Sequence, residues 1–150
     1  MSKINLIALI LLSTLLSSCG FHAPAKNTTL NAIIQSEKSN KFAVELQKQF
    51  NQDAVQNLTI QIGAEIQRIQ TSSYTINNTA NSYTLNLIVP VKVFDAEQQL
   101  LLSQELTANT QLNKTDSSQA DRLQKEESYA QLRHTVIKKL IRRLLKLNEN

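Results

Sequence analysis

The sequence predicts an α+β fold, with four strands in one mostly antiparallel sheet, a short helix after the first strand and a long helix at the end. Three observations predict it. Apolar residues alternate with period two at Leu58, Ile60, Ile62, Ala64 and Ile66, and again at Tyr83, Leu85, Leu87, Val89, Val91 and Val93. Phe42, Leu46 and Phe50 recur every fourth residue before them. From Ser118 to Leu147 the pattern is helical without a break.

The amino end carries a different signal. Lys3 precedes an almost unbroken apolar run from Ile4 to Leu16, too short to span a bilayer, so residues 1–18 read as a cleavable signal peptide. The only cysteine follows directly: Leu16, Ser17, Ser18, Cys19 resembles the bacterial lipobox, in which the thiol is acylated and the leader is cut before it. A single unpaired thiol in an oxidising compartment is otherwise a liability. Gly20, where an Asp would retain a lipoprotein at the inner membrane, resembles the signal for export to the outer membrane. With Cys19 spent on lipid no disulfide is possible, so the mature domain depends on its core.

Residues 19–28, with Pro24, Lys26 and Asn27, show no periodicity and suit an acylated tether. Residues 29–150 are enough for one domain. Its first strand alternates Leu30, Ala32 and Ile34 with Asn31, Ile33 and Gln35. The short helix takes a cap from Ser39 or Asn40, buries Phe42, Leu46 and Phe50, and ends near Asp53. The run from Leu58 to Ile66 and the run from Tyr83 to Val93 read as adjacent antiparallel strands across the turn Asn77 to Ser82. Pro90 removes a ladder donor, which predicts an edge or a bulge. Leu100 to Leu112 returns as the last strand of a meander after the turn at Asp95 to Gln98.

The final helix has Ser118 as its expected cap and Asp121 in its first turn. Leu123, Ala130, Val136, Ile137, Leu140, Ile141 and Leu144 make its apolar arc. Thirty residues at about 1.5 Å each run about 45 Å, longer than the strands it covers. Opposite that arc lie Lys138, Lys139, Arg142, Arg143 and Lys146. They read either as a solvated face or as a surface for a phosphate-rich partner, lipid headgroups or lipopolysaccharide.

Catalysis is not expected. His22 sits in the tether, His134 on an outward turn of the last helix, and Cys19 is consumed, so no nucleophile, base or metal-ligand cluster is in view and no cofactor is implied. The formal charge of +4 falls to +3 once Lys3 is removed with the leader, a modest excess that, with export, argues against nucleic acid.

Cys19, Gly20, Phe21 and His22 are similar to the "CGFH" opening of the lipopolysaccharide-assembly lipoprotein LptE family. The element order and the ending Leu140, Ile141, Arg142, Arg143, Leu144 resemble that family too, while Ala23 stands where a Leu is usual and the Asn77 to Ser82 loop lacks a basic residue. The resemblance implies a two-layer α/β sandwich, a four-stranded sheet with both helices packed on one face. It also implies a plug and assembly factor for the outer-membrane barrel LptD, able to bind lipopolysaccharide, and lipid-anchored on the periplasmic side of the cell outer membrane. For a wet barrel lumen the polar strand positions are Thr59, Gln61, Glu65, Gln67, Thr84 and Asn86. For lipopolysaccharide phosphates they are Arg122, Lys114 and Lys125 near the start of the last helix, with Arg68 and Lys92 on the sheet. The alternative is a free outer-membrane lipoprotein that binds anionic lipid or polymer through the basic helix.

Overall fold

A computed structural model describes residues 30–37 and 39–148. The expected signal peptide, Cys19 and the tether 19–28 lie outside the described residues. The elements are β1 (Asn31–Ser36), α1 (Lys41–Gln47), β2 (Gln56–Ile62), β3 (Ile66–Tyr74), β4 (Ala80–Phe94), β5 (Leu100–Asn113) and α2 (Ser118–Asn148).

The 15-residue β4 is the spine of the sheet. β5 pairs along one side of it, from Ser82 opposite Asn113 to Phe94 opposite Leu100. On the other side β2 takes the far half, Thr59 opposite Phe94 to Ile62 opposite Val91. β3 takes the near half, Ile66 opposite Ile88 to Tyr74 opposite Ala80. β1 then adds to β2 in parallel. A parallel pair needs a crossover, and α1 supplies it.

Five strands therefore stand where four were expected, because the run from Leu58 breaks after Ile62 and a separate strand, β3, continues from Ile66 past the end of the alternation to Tyr74. Between the pair Ile62–Val91 and the pair Ile66–Ile88, three residues (Gly63, Ala64, Glu65) face two (Val89, Pro90), which is a β-bulge. The Gly63 N–H donates to the Pro90 carbonyl at 2.9 Å. In an antiparallel ladder a residue's nitrogen and carbonyl face the same neighbour. The donor that Pro90 lacks thus falls inside the bulge, and Pro90 is accommodated in a central strand. A Cβ on Gly63 would lie 3.1 Å from the Pro90 Cβ, a tight contact that glycine avoids.

The extra residue also reverses which side chains face in. Leu58, Ile60 and Ile62 are buried beneath the helices. After the bulge Ile66 and Arg68 share the open face with Ile88 and Asn86, while Gln67 and Ile69 turn toward the helix side. Ala64 and Ile66 are thus not continuations of the β2 core row.

One core holds the two layers together. From the sheet come Ala32, Leu58, Ile60, Ile62, Leu85, Leu87, Val89, Val91, Val93, Leu106 and Ala108. From the other layer come Phe42, Leu46, Leu132, Val136, Ile137, Leu140 and Leu144. Both helices cover the same face and leave the other open, as expected for the two-layer sandwich.

α1 is shorter than the apolar recurrence suggested. Asn40 caps it, its Oδ1 accepting from the Ala43 N–H at 3.2 Å, while its Nδ2 donates to the Gly63 carbonyl at 3.2 Å. The helix ends at Gln47, and Phe50 is buried from the following turn instead. That turn clamps the start of β1. Asn51 N–H donates to the Leu30 carbonyl at 3.1 Å, and the buried Asn31 amide donates to the carbonyl of Ala54 at 2.9 Å.

In α2 the cap is Ser117, one residue earlier than expected, its Oγ accepting from the Ala120 N–H at 3.4 Å. The first ten residues bury no side chain, and Leu123 is half exposed rather than in the core. Burial begins at Ser128, where the helix comes down on β4 and β5. Lys139 reaches the outer edge of β5 and donates to the Thr107 carbonyl at 2.7 Å. A lysine on an exposed strand edge discourages further pairing there.

Candidate functional site

The five basic residues expected to meet lipopolysaccharide do not converge on one site. Lys114, Arg122 and Lys125 gather where β5 gives way to α2. Lys125 is partly buried, with its Nζ 2.6 Å from Asp121 Oδ2 and 4.1 Å from the centre of the Tyr83 ring. Its hydrogen bond holds the Asp121 carboxyl below the usual carboxylate range. Lys125 thus fastens the helix start to β4. Arg122 stays in solvent, 3.9 Å from Glu126. Lys114 is exposed beside Asn81, Thr115 and Asp116.

Arg68 and Lys92 are elsewhere, exposed on the open face of the sheet. Arg68 pairs with Asn86, six residues from Lys92 on β4, which is about 20 Å.

The open face carries polar rows on either side of Ile66, Ile88 and Pro90. Gln35, Gln61, Lys92 and Ser103 form one row across four strands, with Gln61 Nε2 donating to Gln35 Oε1 at 3.2 Å. Further along β4, Arg68, Asn86 and Asn109 form another row, followed by Gln70, Thr84 and Gln111. Of the polar positions expected here, Gln61, Thr84 and Asn86 are present. Thr59 is on this face but buried, flanked by its partners Ile33 and Phe94. Glu65 and Gln67 are turned to the helix side by the bulge.

What they do there is the feature sequence reasoning missed. Arg133 of α2, 8 % exposed, forks onto Glu65, with Nε 2.7 Å from Oε2 and Nη2 2.9 Å from Oε1. Gln67 donates to the same carboxylate at 2.5 Å, and Glu45 of α1 stands 4.0 Å from the guanidinium. Burial pushes the Glu65 carboxyl up, but the bonds from Arg133 and Gln67 outweigh it and hold it below its usual value. Those same bonds to Glu65 raise the Arg133 pKa. Tyr129, one turn earlier, donates its hydroxyl to the Arg68 carbonyl at 3.1 Å. The bidentate pair is a bolt joining the bulge, α1 and α2. The available signal was Arg133 itself, an arginine set within the apolar arc of Tyr129, Val136 and Leu140.

Among the described residues, no group of three or more His, Cys, Asp or Glu is placed to hold a metal ion, and no helix is long and apolar enough to cross a membrane. No protein-family model matches the chain, and no curated protein matches it. Solved structures do. Lipoprotein B from Nitrosomonas europaea, itself uncharacterized, matches with a TM-score of 0.64 at 17 % identity, over 79 % of this chain and 83 % of that one. The rare lipoprotein B from Shewanella oneidensis matches with a TM-score of 0.69 at 10 % identity, over 79 % of this chain and 96 % of that one. The chain has the fold of these lipoproteins. Their coverage takes in nearly the whole two-layer domain described above.

Proposed function

We propose that the protein is an outer-membrane lipoprotein, acylated on Cys19 and held on the periplasmic side, that plugs and helps assemble an LptD-like barrel in lipopolysaccharide transport. The observation that carries this reading is the open sheet face. Both helices crowd onto one side, leaving a polar wall four strands wide that suits the wet interior of a barrel. The lipobox, the "CGFH" opening and the likeness in fold to bacterial lipoproteins support it. The role is non-enzymatic and needs no cofactor. Lipopolysaccharide contact, where it occurs, belongs to the exposed Arg122 and Lys114 more than to Lys125, which is already engaged.

The test is co-purification from detergent-solubilised outer membrane. A barrel should accompany the wild type in stoichiometric amount, and depletion of the protein should lower surface lipopolysaccharide. Asn86→Trp and Asn109→Trp, which place bulk on the polar wall without touching the core, should weaken that association at unchanged melting temperature. Recovery of the wild type with no barrel refutes the reading. Cys19→Ala should abolish lipid labelling.

A further inference from the structure

One end of the domain carries a surface that a plug does not explain. At the end where the chain enters β1, the last row of the open face is apolar but for the buried Thr59. Ile33, Thr59, Phe94 and Leu100 follow one another across β1, β2, β4 and β5. Ile33 is 47 % exposed, Leu100 55 % and the neighbouring Leu101 39 %. Val55, just before β2 and beside the start of β1, is 83 % exposed. The contacts Lys125–Tyr83, Tyr129–Arg68 and Arg133–Glu65 show α2 starting at the opposite end of β4.

We propose that this end docks on the bilayer surface, with Ile33, Val55, Leu100 and Leu101 in the interface. The proposal rests on the reading of Cys19 as the acylated residue. Cys19 precedes Leu30 by eleven residues, so the anchor holds this end within about 40 Å of the membrane at full extension. At such a separation, docking is an intramolecular step and a shallow apolar contact suffices. Asp53, Asp95 and Glu97 share the end, so the apolar residues carry the contact.

The chain contains no Trp, so single tryptophans report cleanly. The full acylated protein, with Leu100→Trp, Val55→Trp or Ile76→Trp, is placed on vesicles of phosphatidylethanolamine and phosphatidylglycerol, with and without brominated acyl chains. Mass spectrometry establishes acylation separately. Emission from Leu100→Trp and Val55→Trp should move to the blue and be quenched about two-fold or more by bromine at interfacial depth. Ile76, fully exposed on the turn between β3 and β4 at the opposite end, should give neither effect. Unquenched emission at Leu100 and Val55 in an acylated protein overturns the docking face while leaving the anchor intact. A mass without acyl groups refutes the anchor and the docking with it. Burial of the same tryptophans in lipid-free detergent, rising with protein concentration, assigns the face to a second copy of the chain and overturns the proposal.

Discussion

Arg133→Ala removes the guanidinium from the bolt between α2 and the bulge and leaves two carboxylates facing each other across its place. Truncating one member of a buried ion pair costs about 3–5 kcal/mol, most of it from the partner left unpaired. Here Glu65 keeps 12 % side-chain exposure and Glu45 25 %, and water reaching both reduces the expected loss to about 2–3 kcal/mol. For a domain of this size that is a fall in melting temperature of about 10 °C, measured by circular dichroism. Removing both charges together, Arg133→Met with Glu65→Met, leaves no orphan and should recover most of the loss. The pair also predicts a pH dependence. A carboxyl whose folded pKa is depressed adds stability that is complete above its unfolded value and is lost as pH falls through the folded one. Glu65 is held below its ordinary 4.5, so the wild type should lose stability below about pH 4.5 more steeply than the double variant. A single variant within about 2 °C of wild type, or a double variant less stable than the single, refutes the account of the bolt.

Other substitutions probe the rest of the frame. Leu140→Ala, at a fully buried position, should cost about 2–5 kcal/mol, while Leu123→Ala, at a half-exposed one, should cost under about 0.5 kcal/mol in the same urea titration. Gly63→Ala should destabilise by about 1–2 kcal/mol through its contact with the Pro90 ring, and adding Pro90→Ala should relieve part of that loss. Lys125→Met should cost about 1 kcal/mol and speed amide hydrogen exchange in residues 118–127, since it removes the tie between Asp121 and Tyr83.

Most of the frame is legible in the sequence because its strands and helices each show one face to a single core. β4 alternates without a fault over Leu85 to Val93, and α2 carries its stripe from Val136 to Leu144. Periodicity fails where a local geometry interrupts it. Gly63 opens a bulge, and one extra residue moves Ile66 to the other face even though the letters still alternate. The helix stripe likewise says nothing about where the sheet beneath it ends, which is why Leu123 lies outside the core. The candidate site was legible only as composition. Polar residues along the strands promised a wet face, but whether basic residues converge depends on strand neighbours distant in sequence. Lys92 and Arg68 remain apart, and Arg133 finds a carboxylate 68 positions away.

The clamp at the start of β1 also bears on mechanics. β1 is a six-residue strand with one bonded neighbour, the element of this sheet most easily peeled. Peeling begins at the end where force is applied, and under the proposed anchoring on Cys19 the domain hangs by its amino end and feels every tug at Leu30. There the Leu30 carbonyl is pinned to Asn51 and the Asn31 amide to Ala54, so the load passes into the 51–54 turn before it reaches the strand ladder. The first knot of the seam is tied where unravelling would start.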